Sequence, residues 1–192
     1  MTKSNGIQQQ AIAFIGGGNM ASAIIGGLLR QGLAPAQIEV VEPFAEARAK
    51  LQSQFGVTAR EQAGAALARA QLVVWLHPIY WYSVPGLLKH WFDKVLAHGW
   101  AYGKEGTALH GKHALWVAAI GGADHTYAEG HSNLKPFENY MDPVEQTARY
   151  CGMHWETPEL LFGTPKLTAL RVGDPQMIIG NSILSIEHDR AR

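Results

Sequence analysis

The sequence predicts an α/β protein, a single three-layer domain in which helices cover both faces of a parallel sheet. Three observations carry that prediction. Apolar runs at residues 11–15, 38–41, 72–76 and 114–120 are too short for helices and read as strands buried on both faces, as strands of a parallel sheet are. Segments of helical composition separate them, which is how parallel strands are connected. The first run leads directly into a glycine turn, Gly16-Gly17-Gly18, that opens a helix. At 192 residues and 47% hydrophobic, the chain can bury one good core.

Composition narrows the function classes. Sixteen basic residues stand against sixteen acidic ones, so there is no electrostatic footprint for nucleic acid or an anionic membrane surface. The single cysteine, Cys151, has no internal disulfide partner, and no charged start followed by an apolar run suggests a signal peptide. The expected location is cytoplasmic. No apolar run approaches the ~20 residues of a membrane span, so membrane association is expected only through a partner.

Residues 1–10 are polar and aperiodic and read as a loose tail. Strand 11–15 is followed by G-x-G-x-x-A at Gly16, Gly18 and Ala21, opening a helix through Leu29. Such glycines permit a tight turn and close approach to a pyrophosphate, and the free N–H groups of the helix start, at Asn19, Met20, Ala21 and Ser22, face the anion. Strand 38–41 ends at Glu42, placed where a carboxylate accepts the ribose hydroxyls of NAD and repels the extra phosphate of NADP. The stretch AIAFIGGGNMASAIIGGLLRQGLAPAQIEVVEPFAEARAKLQSQFGV resembles the amino-terminal half of the dinucleotide domain of pyrroline-5-carboxylate reductases. That resemblance implies nucleotide contacts at Gly16, Gly18, Asn19, Met20 and Ala21. Nothing after Gly56 resembles the helical dimerisation domain in which those enzymes bind pyrroline, so proline synthesis is rejected.

The chain turns on residues 72–103. Strand 72–76 runs through His77-Pro78 into an aromatic loop, Ile79-Tyr80-Trp81-Tyr82, with Ser83 expected as N-cap and Pro85 in the first helical turn. Leu87, Leu88, Trp91, Phe92, Val95 and Leu96 recur at helical spacing, and Gly99 is expected as the stop. In open α/β sheets ligands bind at the carboxyl end of a central strand, which is where this loop sits. The aromatics alone fit a ring-binding platform or core and dimer packing equally well. Strand 114–120 ends in Gly121-Gly122, and Asp142-Pro143-Val144-Glu145 reads as a capping-box start to a helix stopped by Gly152. His77 is expected as a structural contact and Cys151 as a packed thiol. His110 and His113 lack a carboxylate or cysteine at ligand spacing, and no metal site is expected.

HPIYWYSVPGLLKHWFDKVLAHGWAYG, ALHGKHALWVAAIGG and PVEQTARYCGMHW resemble the flavodoxin-like NAD(P)H:quinone oxidoreductases, including the ancillary flavoproteins of glutathione-gated potassium efflux systems. The resemblance covers about 61–163. It implies bound FMN or FAD, NAD(P)H as reductant, a quinone-like acceptor, a homodimer and a transporter partner. It also implies ring contacts at Pro78, Ile79, Tyr80, Trp81 and Tyr82 and at Gly121 and Gly122, although Ala119 and Ile120 replace two hydroxyl-bearing residues usual there. Tyr127 matches a position whose hydroxyl lies near the flavin or the hydride path, and His131 is a looser match. The family's phosphate loop is replaced by 16–21, leaving Asn19, Ser22 and helix N–H groups, a set suited to a pyrophosphate.

Two resemblances thus meet in one chain, with a seam expected between Val57 and Gln71, which predicts a Rossmann and flavodoxin-like hybrid of chimera-like sequence. Both parents place strand 72–76 beside strand 11–15, delivered by a crossover helix near 61–70. A last family strand is expected at 160–162. The tail 164–192 matches neither family, and 167–172 and 177–186 read as short extended segments. The function expected is NAD(P)H-dependent reduction of quinones through bound flavin. The alternative is a nucleotide-binding or regulatory module without catalysis.

Overall fold

The computed structural model describes residues 11–164 together with Ile183 and Ser185. The tail 1–10 and segment 167–172 lie outside the described residues. In the segment expected to be extended at 177–186, the two described residues are helical instead, and Ile183 is fully buried. The described residues fall in two compact units. One runs to Leu76 and includes Ile183 and Ser185, and the other runs from His77. The boundary between the units lies near the end of the fourth strand.

The first unit is built from β1 (Ile12–Ile15), α1 (Asn19–Arg30), β2 (Ile38–Val41), α2 (Ala45–Phe55), β3 (Thr58–Arg60), α3 (Ala63–Arg69) and β4 (Leu72–Pro78). Its strands lie parallel in the order β3-β2-β1-β4. Ile12 is in register with Ile38 on one side and Leu72 on the other, and Phe14 with Val40 and Val74, so β1 is flanked on both edges and wholly buried. That is why its sequence is apolar without alternation. The expected adjacency of 11–15 and 72–76 holds. β3 and α3 occupy the stretch expected as a seam, and β3 was not legible because Thr-Ala-Arg is short and half-exposed. Glu39 is a buried carboxylate on β2, held by Arg60 at 3.4 Å and Arg69 at 2.5 Å. Removing either arginine leaves a charge partly uncompensated in the sheet.

The second unit contains α4 (Gly86–Val95), β5 (His113–Ala119), α5 (Asp142–Tyr150), β6 (His154–Trp155) and β7 (Glu159–Leu161). β5 pairs in parallel with β6 through His113 and Ala114 and with β7 through Val117 to Ala119. Trp116 and Phe137, each 1% exposed, anchor the core of this unit.

Three helix ends differ from expectation. Ser83 is not the N-cap of α4. Its N–H and carbonyl are both paired with Tyr80, so the helix begins three residues later behind Pro85. α4 ends at Val95 with Leu96 as C-cap, and Gly99, at φ +80°, turns the following loop instead. Asp142 lies inside α5 behind an N-cap Met141 with no side-chain cap bond, so the capping box is not formed. Among the described residues no helix is long and apolar enough to cross a membrane.

Candidate functional site

The glycine loop has the backbone its sequence requires. Gly16 takes φ +106°, and a Cβ there would meet the Leu76 carbonyl at 3.3 Å. A Cβ on Gly17 would fall 2.8 Å from Leu51 Cδ1 and 3.1 Å from Glu42 Oε2, so the loop packs against β2's end with no room for a side chain. Gly18 is the N-cap of α1, its Cβ direction is open for 4 Å, and no side chain caps the helix. The first return bond of the helix is Ser22 N–H to Gly18 O. The N–H groups of Asn19, Met20 and Ala21 therefore have no acceptor among the described residues, and no acidic residue stands in the first turn. Such a helix start presents N–H donors and the positive end of the helix dipole.

Glu42 sits differently from the ribose-accepting role expected of it. It is 6% exposed, and its carboxylate accepts the Gly17 N–H at 2.8 Å and the Phe44 N–H at 2.9 Å. Glu42 holds the loop in shape from behind.

In the second unit, Ile79 N–H donates to Ala119 O at 2.8 Å and pins the start of the aromatic loop to the end of β5. Tyr80 and Ser83 then exchange two backbone bonds of 3.1 Å around Trp81 and Tyr82, whose φ values are +50° and +61°. Two successive left-handed residues make a primed two-residue turn, a place normally held by Asn-Gly. Bulky aromatics pay about 1–3 kcal/mol each to stay there. Tyr82 is supported: its ring centroid lies 5.1 Å from that of Tyr140, and its hydroxyl donates to Asn133 Oδ1 at 3.1 Å. Trp81 is 93% exposed and makes no ring contact among the described residues. The fold spends strain to display an indole.

Beside this turn Tyr127 packs edge-on against Phe137 at 5.2 Å and Tyr140 at 6.3 Å, and at 5.8 Å from Phe162. Gly122 makes that packing possible, because a Cβ on it would lie 2.9 Å from the Tyr127 ring and 3.1 Å from its hydroxyl. The three neighbouring phenols differ in what they can still do. Tyr82 donates to the Asn133 side chain and Tyr140 to the Asn133 carbonyl at 2.8 Å, whereas the Tyr127 hydroxyl has no partner among the described residues. Burial, then the proximity of Tyr82 and Tyr140, pushes the Tyr127 pKa above its ordinary value of 10.0. Of the three, only the Tyr127 O–H is not committed to a partner among the described residues. The N–H groups of Gly121 and Gly122 likewise have no acceptor among the described residues.

His131 is exposed and its ring contact is with His125, at 6.4 Å, so the structure does not bring it into ring contact with Tyr127. Asn133, Tyr140 and Thr126 were missed by sequence reasoning. The aromatic density of PFENY is the one sequence signal that could have found this stretch. Among the described residues no group of three or more His, Cys, Asp or Glu is placed to hold a metal ion. Cys151 is buried, and burial raises its thiol pKa.

His77, at the end of β4, is structural. Indole N–H can only donate, so the 2.6 Å bond from Trp116 Nε1 makes His77 Nε2 an acceptor and puts the proton on Nδ1, which donates to Pro78 O at 2.8 Å. Both ring nitrogens are spent, and the ring has no capacity left for base catalysis. Burial lowers its pKa from 6.5 to about 4, against a smaller raising effect of the Pro78 bond. A folded pKa below the unfolded one means that the unfolded chain takes up a proton first as pH falls. The stability His77 provides is therefore complete above pH 6.5 and lost progressively between pH 6.5 and about 4. The expected loss is about 3 kcal/mol, at 1.36 kcal/mol per pKa unit. Urea midpoints measured across that range check it, and a histidine-to-glutamine variant at His77 should flatten this component.

The sequence profile of the family described as flavodoxin-like fold matches residues 19–171. The chain belongs to the flavodoxin-like fold family. That match begins at residue 19, inside the stretch assigned above to a second family, and the pyrroline-5-carboxylate reductase half of the hybrid reading is not supported. This flavodoxin-like chain is 55% identical over 93 residues, 48% of its length, to the glutathione-regulated potassium-efflux system ancillary protein KefF of Salmonella typhimurium. It spans about half, 52%, of that relative. Among solved structures, an NADPH-quinone reductase from P. pentosaceus superposes with TM-score 0.69 at 18% identity, covering 91% of this chain and 96% of the other. General stress protein 14 from Treponema denticola, in complex with FMN, superposes with TM-score 0.67 at 23% identity, covering 95% and 99%. At these identities the superpositions show the shared fold. The chain is thus a parallel α/β protein of flavodoxin-like fold with helices packed around its sheet.

Proposed function

We propose that this chain is a flavin-dependent NAD(P)H oxidoreductase that reduces quinones or similar two-electron acceptors. The observation that carries the proposal is the face in the second unit where a displayed Trp81, two unspent glycine N–H groups and one phenol with a free proton occur together. A planar heteroaromatic ring with polar edges fits that inventory: an indole to stack on, N–H groups for carbonyl oxygens or ring nitrogens, and a donor at Tyr127 Oη. The family resemblance supplies the reading, and the FMN named with the Treponema denticola protein favours FMN as the flavin.

When bound, the flavin supplies hydride transfer, so the protein needs no side-chain nucleophile. The work of the chain is to hold and to hydrogen-bond. Trp81 and Tyr82, with Pro78, Ile79 and Tyr80, form the ring platform, and the Gly121 and Gly122 N–H groups fix the ring's polar edge. In the first unit, the α1 start at Gly18, Asn19, Met20 and Ala21, with Ser22 and the loop held by Gly16 and Glu42, is by itself an element suited to a nucleotide phosphate. Overall, the nicotinamide gives up a hydride and a quinone gains that hydride and one proton, becoming a hydroquinone. Tyr127 delivers the proton and is replenished from water.

We extend the proposal to assembly. Tyr80, Trp81, Leu87 and Leu134 are all more than half exposed, and a homodimer would cover them. The likeness to a potassium-efflux ancillary protein supports a cytoplasmic role docked on such a transporter. A second reading, a nucleotide-binding module without catalysis, is favoured by one feature: the α1 start is complete as an anion site by itself. Incubation with FMN, removal of excess and recording of the visible spectrum separate the two. Near-stoichiometric retained flavin supports the oxidoreductase, whereas calorimetric binding of NADH with no retained flavin supports the module.

A further inference from the structure

We propose that Asn133 is the positioning residue that fixes the aromatic turn relative to the Tyr127 segment, and that it does so by consuming the hydroxyl protons of two of the three phenols. Its role in ligand binding rests on the reading of the turn as a flavin platform, but the geometry stands without it. All four polar groups of Asn133 are engaged. Its N–H donates to Thr126 O at 3.2 Å, its carbonyl accepts from Tyr140 Oη at 2.8 Å, its Nδ2 donates to Thr126 Oγ1 at 2.8 Å and its Oδ1 accepts from Tyr82 Oη at 3.1 Å.

The orientation of the amide follows from its neighbours. Thr126 Oγ1 donates its one hydrogen to Ala123 O at 2.7 Å, and a carbonyl can only accept. Only lone pairs of Oγ1 remain to face Asn133, so the amide must turn its NH2 group there. Oδ1 then faces Tyr82, and the Tyr82 hydroxyl must be the donor. Tyr82 and Tyr140 are left as acceptors toward any ligand, and Tyr127 as the donor.

The same bonds oppose the strain of the turn. Trp81 and Tyr82 sit in left-handed backbone, and Leu134, next to Asn133, does so too at φ +64°. The net strength of an ordinary hydrogen bond is comparable with the cost of one such residue. Without Asn133 the turn is under-supported, while β5 and α5 keep their own contacts.

Amide hydrogen exchange by NMR on the apo protein, combined with FMN titration, tests this. In Asn133→Ala the Tyr80 and Ser83 amides should exchange about tenfold faster, the equivalent of one lost bond, while Val117 to Ala119 of β5 are unchanged. Asn133→Asp should fall between wild type and Asn133→Ala, because its carboxylate still accepts from Tyr82 Oη but presents lone pairs to Thr126 Oγ1. FMN should bind about tenfold more weakly to Asn133→Ala and to Tyr82→Phe, and no more weakly to the double variant, since both remove one bond. Wild-type exchange at Tyr80 and Ser83 in Asn133→Ala would overturn the inference, as would faster exchange spread equally through β5, or additive FMN losses. If the wild type binds no FMN, the oxidoreductase reading fails, and the exchange data still decide the role of Asn133.

Discussion

Replacing Trp116 with phenylalanine should destabilise the protein by about 3 kcal/mol at pH 7.5, part from the space left by the indole and part from a buried His77 Nε2 with no donor. Trp116 is 1% exposed and packs against Phe137 at 6.2 Å and Trp155 at 6.4 Å, so the site has little freedom to collapse. The sharper expectation concerns pH. Burial lowers the folded-state pKa of His77 to about 4, and because the indole N–H also favours the neutral imidazole, its loss should raise that pKa, with burial still holding it below 6.5. Wild type loses stability between those values and the variant loses less, so the two stability curves should converge as pH falls. Denaturant unfolding at several pH values reads this directly. A constant gap from pH 7.5 to 4.5 would mean that Trp116 acts by packing alone and that the assigned tautomer is wrong.

Tyr127→Phe should lower kcat for quinone reduction about a hundredfold or more, within the ~10²–10⁴ range of a positioned proton donor, while FMN affinity stays near wild type. The phenyl ring keeps the contacts with Phe137, Tyr140 and Phe162, so the loss is confined to one O–H group. Because the Tyr127 pKa lies above its ordinary range, the wild-type rate should show no break from this residue between pH 6 and 9. Equal losses in kcat and FMN affinity would make Tyr127 part of the platform rather than the proton source. Unchanged kcat would remove it from the chemistry.

The parallel strands were legible because burial on both faces leaves a mark that needs no alternation: 11–15, 38–41, 72–76 and 114–120 fall within about one or two residues of β1, β2, β4 and β5. Thr58–Arg60 and His154–Trp155 were not, being too short and too polar to stand out from loop. Ser83 and Asp142 carry cap-forming side chains, yet the first is committed to a turn and the second lies one residue inside its helix. Residue type alone does not say which competing bond wins.

At the candidate site the sequence located the aromatic loop but not its conformation. Trp81-Tyr82 lacks the Asn-Gly signature of a primed turn, and what holds it there is Asn133, fifty-one residues from Tyr82. Pairing at that separation leaves no periodic trace. The glycine motif is less specific than a family resemblance needs. Gly16, Gly18 and Ala21 encode a tight turn into a bare helix start, a physical device any phosphate-binding α/β fold can use, and the comparisons do not support a second parent. Glu42 shows the same limit. A carboxylate at a strand end can face a ribose or its own loop, and here the Gly17 and Phe44 N–H groups take it.

The central claim is that this flavodoxin-like chain carries electrons from NAD(P)H to a quinone through bound flavin. Anaerobic rapid mixing of FMN-loaded protein with NADPH, followed by a quinone, tests it most directly. Loss of the visible flavin absorbance on the first addition and its return on the second, both saturating with reagent concentration, is the expected result. Protein that retains FMN but is neither bleached by NADPH or NADH nor restored by any quinone would contradict the claim and leave a nucleotide-binding module.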